Sequence, residues 1–235
     1  MKTGISDSGD LVTVIIPVYN EAATIREVIR RVEAAPFEKE ILIVDDGSTD
    51  GTSARAEEVA SDRVRVIRLE QNAGKGAAIR AALPHVRGRA VIIQDADLEY
   101  DPEDIPALVR DILEGRAAAV YGNRFHHGFP AGMAFANRAI NRILAAMVTV
   151  LYGHRLSDEA TCYKAFRTDV LVNMKLTCRR FEFCPEVTAK ALRAGHRIAE
   201  KPIRYVPRTK SAGKKIRWWD GVIAIWTLIK FRFVR

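Results

Sequence analysis

The sequence predicts an α/β fold with a mostly parallel central sheet, flanking helices and an amphipathic C-terminal segment. Three observations predict it. Short apolar runs of strand length recur from the N-terminus. Stretches with helical periodicity separate them, which is the pattern of βαβ units. A polar cluster follows each apolar run that ends at Ile16, Val44, Leu69 or Ile93, and in open α/β sheets ligands bind beyond the carboxyl ends of the strands.

Each element has its own signal. Val12-Thr13-Val14-Ile15-Ile16-Pro17 reads as a buried strand. Residues 24–35 form an amphipathic helix, with Ile25, Val28, Ile29 and Val32 at helical spacing. Residues 40–44 are a second strand, and Asp45-Asp46-Gly47-Ser48 turns out of it. A helix over 52–60, a strand over 63–69, a helix over 76–86 and a strand over 90–94 continue the alternation. Further on, 102–113 is helical, 117–121 a short strand, 132–152 a long and increasingly apolar helix, 181–194 a helix and 203–206 a strand. No internal repeat or long linker divides the chain. The expected organisation is a flexible start over 1–10, one domain over 11–210 and a basic, aromatic segment over 211–235.

Composition narrows the function. The 235 residues are 48% hydrophobic, enough for a sizeable core. The net charge is +8, and ten Lys and Arg against the single acid Asp220 put +9 of it after residue 200. A basic tail of this kind suits phosphate, anionic lipid or nucleic acid. Three scattered cysteines, Cys162, Cys178 and Cys184, argue against a disulfide framework and for a reducing compartment. The first ten residues are polar and carry no signal-peptide pattern. The longest uncharged run near the middle, 143–154, has twelve residues, short of the roughly 18 or more that span a bilayer.

The most informative stretch is Asp95-Ala96-Asp97-Leu98-Glu99, at the tip of the fourth strand. In extended chain alternate residues point the same way, so the three acids face one spot. They repel one another unless a cation joins them, and hard oxygen ligands suit Mg²⁺ or Mn²⁺. A solvated acidic loop is the plainer reading. In the first loop, Pro17-Val18-Tyr19-Asn20-Glu21, Asn20 is placed to cap the next helix, or Tyr19 and Glu21 meet a nucleoside. In the second, Ser48 or Asp50 caps a helix, which leaves Asp45 and Asp46 at a strand end to accept from a base N–H. Asn72-Ala73-Gly74-Lys75-Gly76 lacks the full spacing of a P-loop. Its glycines still permit close backbone approach, and Lys75 adds positive charge.

Taken in order, V-T-V-I-I-P-V-Y-N-E, I-V-D-D-G-S-T-D-G-T, N-A-G-K-G-A-A and Q-D-A-D-L-E resemble the family 2 glycosyltransferases. Tyr121-Gly122-Asn123-Arg124, Ser157-Asp158-Glu159-Ala160-Thr161, and Arg208 with Gly213-Lys214 are similar to the dolichyl- or polyprenyl-phosphate sugar synthase branch. The resemblance implies a GT-A, Rossmann-like nucleotide-sugar-binding fold. It implies that Pro17, Tyr19, Glu21, Val44 and Asp46 hold the nucleoside, and that Asp95 and Ala96 contact ribose and diphosphate. Lys75, Arg208 and Lys214 complete the donor-binding set. Asp97 and Glu99 match metal ligands; the branch often has Gln where Glu99 stands. Arg124, with Arg208 and Lys214, matches phosphate-binding residues, and Asp97, Arg124 and Asp158 are the catalytic candidates. Gly213-Lys214-Lys215 departs from the Ser-Lys usual in the synthases.

The implied reaction moves a sugar, mannose or glucose, from a GDP- or UDP-linked donor to a polyprenyl or dolichyl phosphate with inversion. Mg²⁺ or Mn²⁺ neutralises the leaving diphosphate. A phosphate acceptor is already anionic and needs no base; a hydroxyl acceptor needs one, with Asp158 and Glu159 as candidates. The Q-x-x-R-W motif of processive synthases is absent. Ile216, Trp219, Ile223, Trp226, Ile229 and Phe233 fall at helical spacing beside basic residues, the pattern of an interfacial helix or of a core-packed one. Met133, Phe135, Ile140, Leu144 and Met147, flanked by Arg138 and Arg142, raise the same pair of readings. The expected location is the cytoplasmic face of a membrane, with room for a separate membrane-protein partner. A basic-tailed nucleotide- or nucleic-acid-binding module is the non-enzymatic rival, and the acidic triplet opposes it, because carboxylates repel nucleic acid.

Overall fold

A computed structural model describes residues 9–126, 128–130, 132–208 and 218–234. Among these residues seven strands form one sheet in the order β3-β2-β1-β4-β6-β5-β7. The first half follows the predicted alternation: β1 (Val12–Val18), α1 (Ile25–Ala34), β2 (Lys39–Asp45), α2 (Thr52–Glu57), β3 (Val64–Arg68), α3 (Lys75–Ala82) and β4 (Ala90–Ile93). These four strands are parallel, so their carboxyl ends share one edge. The apolar runs of β1, β2 and β4 are buried, as expected of strands covered on both faces. Helix α1 buries Ile25, Val28, Ile29 and Val32, each contributing about 1.5–3 kcal/mol. Helix α3 stops early because Pro84 sits in a 3₁₀ turn over Leu83–His85.

The second half holds α4 (Ile105–Leu113), β5 (Ala119–Asn123), α5 (Phe135–Tyr152), β6 (Lys164–Arg167), α6 (Thr168–Asn173), α7 (Phe183–Arg193), β7 (Ile198–Pro202) and α8 (Trp218–Phe233). Strand β6 runs antiparallel between β4 and β5. Neither β6 nor α6 is visible in the sequence pattern. β6 is four residues long and opens on Lys164, which is fully buried. The Lys164 ammonium donates to the Glu159 carbonyl at 2.7 Å and lies 3.5 Å from the Tyr121 ring centre. These contacts offset the cost of burying a charge.

The strand expected at 203–206 is a correction. Among the described residues the last strand is β7, Ile198–Pro202, paired with β5, and beyond Pro202 only Tyr205 bridges, to Tyr100. β7 is an edge strand with mostly half-exposed residues, so its pattern is weak.

The two helices that raised the membrane question divide their apolar residues between two faces. On α8, Ala224, Leu228 and Phe231 are buried, and the helix packs on α5 and α7. Tyr152 Oη on α5 donates to the Leu228 carbonyl at 2.6 Å. Trp219, Val222, Ile223, Trp226 and Phe233 are exposed. Of the α5 set, Met133 and Leu144 are buried, Ile140 and Met147 are half-buried and Phe135 alone is exposed. No helix among the described residues is long and apolar enough to cross a membrane.

Candidate active site

The acids after β4 come together by a turn. The strand ends at Ile93, and Leu98 takes φ 61°, a left-handed conformation rare for a branched residue. The expected strand-like alternation of Asp95, Asp97 and Glu99 is therefore replaced by three separate environments. Asp95 Oδ1 accepts from Lys75 Nζ at 2.5 Å. Burial works against the Lys75 charge, but the Asp95 carboxylate outweighs it and holds the ammonium well above its usual pKa. Glu99 accepts from Tyr205 Oη at 2.8 Å and from the Arg208 N–H at 2.7 Å. Among the described residues Asp97 Oδ1 accepts only the Glu99 N–H, at 3.2 Å.

Asp97 is thus the acid left with surplus charge. Burial, then the Asp95 and Glu99 carboxylates, raise its pKa to about 7. Its Oδ2 accepts no hydrogen bond among the described residues. An oxygen-only donor under uncompensated negative charge fits a hard divalent cation, which takes one or two carboxylates and completes its shell with phosphate and water. No three His, Cys, Asp or Glu side chains among the described residues lie close enough to hold a metal unaided. A cation at Asp97 and Glu99 would draw further ligands from substrate.

The segment after β7 lies across this turn. Val206 N–H donates to the Glu99 carbonyl at 2.9 Å, and Arg208 Nε donates to the Asp97 carbonyl at 2.7 Å. The Arg208 guanidinium reaches Glu21 at 3.0 Å. Burial disfavours its charge, and Glu21, Asp97 and Glu99 overcome that and raise its pKa. Arg204 ties the same segment to Asp101, Glu103 and Asp104. The predicted phosphate residues Lys214 and Lys215, with Gly213 of the same motif and Ile216, lie outside the described residues.

Arg124 comes from the end of β5 and meets Asp158. Its Nε and Nη2 each donate to the carboxylate at 2.7 Å, and its N–H donates at 3.0 Å. Asp158 is fully buried. Burial opposes the Arg124 charge and Asp158 more than restores it. With both oxygens taken, Asp158 orients the arginine. The neighbouring Glu159 is also fully buried, and its pKa is raised to about 7, chiefly by that burial. Arg124 in turn lies 5.0 Å from the Tyr205 ring centre. Tyr205 therefore joins Arg124 to Glu99.

The loops expected to hold a nucleoside are built differently from expectation in one respect. Asn20 does not cap α1, whose N-cap is Thr24. Asn20 Oδ1 accepts from the Thr49 N–H at 2.9 Å, and the Asn20 N–H donates to Ser48 Oγ at 2.9 Å. It binds the first loop to the second, in the left-handed conformation that Asn tolerates. Asp50 accepts from Thr52 at the start of α2 and from the Ala22 N–H. Pro17 and Val44 pair across β1 and β2 and are buried. Tyr19 and Glu21 are half-buried at the strand end, and Ala96 is buried, its carbonyl accepting from Thr24 Oγ1. Asp46 accepts from the Ala73 and Gly74 N–H groups, both at 2.8 Å. Burial raises its pKa and those two bonds partly counter it.

The Gly74-Lys75-Gly76 turn is not open to a phosphate. The Arg180 and Arg179 carbonyls accept the Gly76 and Ala77 N–H groups at 3.0 and 2.9 Å. A Cβ on Gly74 would stand 2.5 Å from the Arg179 carbonyl oxygen. The glycines admit another stretch of backbone, and the lysine side chain alone reaches the site.

Glu21, Lys75, Asp95, Asp97, Glu99, Arg124, Asp158 and Arg208 thus form one connected cluster at the carboxyl edge. The sequence reading missed Tyr100, Tyr205 and Cys162. The Tyr100 hydroxyl accepts the Cys162 N–H at 2.9 Å, and Cys162 Sγ lies 3.1 Å from Lys75 Nζ. Buried aromatics in a core carry no local signal of a role; Tyr205 could have been noticed for its place three residues before Arg208. A surface hollow lined by Arg89, Arg167 and Thr168 lies at the opposite edge, before β4, and shares none of these residues.

The chain is similar to known proteins in sequence and in fold. A polyprenol monophosphomannose synthase of Mycolicibacterium smegmatis is 31% identical over 227 residues, covering 91% of this chain and 85% of the relative. The glycosyltransferase AglJ of Haloferax volcanii is 31% identical over 200 residues, covering 85% of this chain and 64% of the relative. An undecaprenyl-phosphate 4-deoxy-4-formamido-L-arabinose transferase of Pseudomonas fluorescens is 35% identical over 184 residues, covering 74% and 52%. The chain therefore spans between half and two thirds of the length of two of these three relatives. The fold is shared with glucosyl-3-phosphoglycerate synthase from Mycobacterium tuberculosis, solved with Mn²⁺, uridine diphosphate and phosphoglyceric acid. That match has TM-score 0.73 at 22% identity over 97% of this chain and 80% of that one. Residues 13–173, which carry the loops after β1 and β2, the acid turn and the Arg124–Asp158 pair, match the family described as Glycosyl transferase family 2, and the chain belongs to that family.

Proposed function

We propose that the protein is an inverting, divalent-metal-dependent glycosyltransferase that moves a sugar from a nucleoside diphosphate to a polyprenyl phosphate at the cytoplasmic surface of a membrane. The observation that carries the acceptor is the state of the acids. Asp158 has both oxygens on Arg124, and Glu159 is fully buried. Asp158 is committed to Arg124, and burial closes Glu159 off from a hydroxyl acceptor although its Oε2 has no hydrogen-bond partner among the described residues. A phosphate acceptor, already an anion, needs positioning by cations instead.

On this reading the nucleoside rests between Tyr19 and Asp46, with Glu21 beside it. Lys75 and Arg208 draw the diphosphate to the acid turn. Asp97 and Glu99 would hold Mg²⁺ or Mn²⁺, which supplies Lewis-acid stabilisation of the departing diphosphate. Arg124, fixed by Asp158, presents its guanidinium to the acceptor phosphate, which attacks from the face opposite the leaving group. Lys214 belongs to the same phosphate-binding set.

The exposed Trp219, Trp226 and Phe233 on α8, together with Lys230 and Arg232, support docking on an anionic bilayer. The lipid-phosphate names of the first and third relatives above support the same acceptor class. The sparse free cysteines support a reducing compartment.

The test incubates the protein with Mn²⁺ or Mg²⁺ and radiolabelled GDP- and UDP-sugars, with and without undecaprenyl or dolichyl phosphate. Label should enter the organic phase only when the lipid phosphate is present. Label confined to a water-soluble product would overturn the acceptor and favour a hydroxyl substrate.

A further inference from the structure

The loop that fills the entrance of α3 is held by a second set of charges. Glu186 on α7 is fully buried. It accepts from the Thr177 N–H at 2.7 Å, the Thr177 hydroxyl at 3.0 Å and the Cys178 N–H at 2.6 Å, and pairs with Lys190 at 2.6 Å. Burial alone would raise its pKa, yet these partners hold it below the usual carboxylate range. Glu182 accepts from the next two amides, Arg179 at 2.7 Å and Arg180 at 3.1 Å. Two acids one helical turn apart therefore fix four successive backbone N–H groups.

The carbonyls of Arg179 and Arg180 then face the other way, onto the first free amides of α3. Helix α3 begins at Lys75, whose ammonium meets Asp95 and Cys162. The contact has no slack. A Cβ on Gly76 would stand 2.9 Å from Cys178 Sγ and 3.0 Å from the Arg180 carbonyl oxygen. A shift of residues 177–180 is thus passed directly to the helix that aims Lys75.

We propose that Glu186, with Glu182, is a positioning residue that sets Lys75 against Asp95 and so prepares the site for a nucleoside diphosphate. The proposal rests on the donor-site reading above. Glu186 touches no reacting group; its effect passes through one lysine. Removing it should weaken donor binding only while that lysine is present.

The experiment measures UDP and GDP binding with Mn²⁺ by calorimetry for the wild type, Glu186→Gln, Lys75→Met and the double variant, with folding checked by circular dichroism. The Gln side chain keeps the volume and loses the charge. Glu186→Gln should weaken binding about tenfold, the range of coupling through packed elements. The double variant should bind no more weakly than Lys75→Met alone, because both changes remove one interaction. Additive losses would assign Glu186 a merely structural part and overturn the proposal, as would unchanged binding in Glu186→Gln. If Glu186→Gln does not fold, Gly76→Ala strains the same junction from the α3 side and should show the same non-additivity with Lys75→Met. A wild type that binds neither nucleoside diphosphate overturns the donor-site reading itself, and this inference with it; normal wild-type binding with additive losses removes the inference alone.

Discussion

Arg208 and Glu21 stand 187 residues apart in sequence and meet through a forked ion pair of 3.2 and 3.0 Å. The pair ties the loop after β1 to the segment after β7, and the same arginine holds the Asp97 carbonyl and, through its N–H, Glu99. A single residue therefore locks the loop after β1 to the acid turn.

Arg208→Lys tests that lock. Lysine keeps the charge but has no planar fork, so it cannot serve Glu21 and the Asp97 carbonyl together. Loss of charge-assisted hydrogen bonds predicts about tenfold to hundredfold weaker donor binding. Calorimetric titration with UDP and GDP checks it; unchanged affinity would free Arg208 from the donor site.

Asp97→Asn removes the acid left without compensation. Transfer should fall about 10²–10³-fold, the scale of losing one stabiliser of developing charge. Mn²⁺ binding, read by electron paramagnetic resonance in the presence of UDP, should be lost with it. The melting temperature should hold or rise, because the substitution relieves repulsion from Asp95 and Glu99. Full turnover by the Asn variant would remove the metal assignment.

Asp158→Ala leaves the Arg124 guanidinium buried and unpaired. The expected cost is about 3–5 kcal/mol in urea unfolding. Arg124→Met in the same chain should recover part of it, since the uncompensated charge is gone. A general base would behave otherwise: Asp158→Ala would then lose turnover at full stability.

Glu159 sets a pH dependence of stability. Its folded pKa of about 7 lies above the ordinary 4.5, so the folded state holds the proton more tightly. The associated stability is complete below about pH 4.5 and is lost as pH rises through about 7, on the order of 3 kcal/mol in all. Glu159→Gln has no proton to lose. Its stability relative to wild type should grow from pH 5 to pH 8, measured by urea denaturation. Parallel pH profiles for the two proteins would refute the assignment.

Trp226→Glu tests the outer face of α8. Trp226 is 63% exposed and its neighbours Leu228 and Phe231 carry the packing. The variant should keep its melting temperature and lose flotation with anionic phospholipid vesicles. Unaltered flotation would place membrane contact elsewhere.

The alternation of strands and helices was legible because hydrophobic periodicity is a local property. Ile25, Val28, Ile29 and Val32 announce α1 without reference to anything else in the chain. β6 was not legible, because its first residue is a buried lysine made acceptable by Glu159 and Tyr121, which lie on other elements. The apolar pattern at 203–206 points past β7 because an edge strand needs little apolar patterning, while Tyr205 packs on Tyr100 beside the acid turn and Val206 stays exposed.

Most of the site residues could be named from motifs, but their division of labour could not. The sequence by itself determined an α/β domain with acids, a lysine and arginines gathered at one sheet edge. Only the tertiary structure decided which acid is spoken for. Asp95 is answered by Lys75 from 20 residues away, Glu99 by Tyr205 and the Arg208 amide from more than 100, and Asp158 by Arg124. Asp97 is left with the surplus charge. The reason is physical: a carboxylate's character depends on burial and on the donors around it, and those donors arrive from parts of the chain that no local pattern connects.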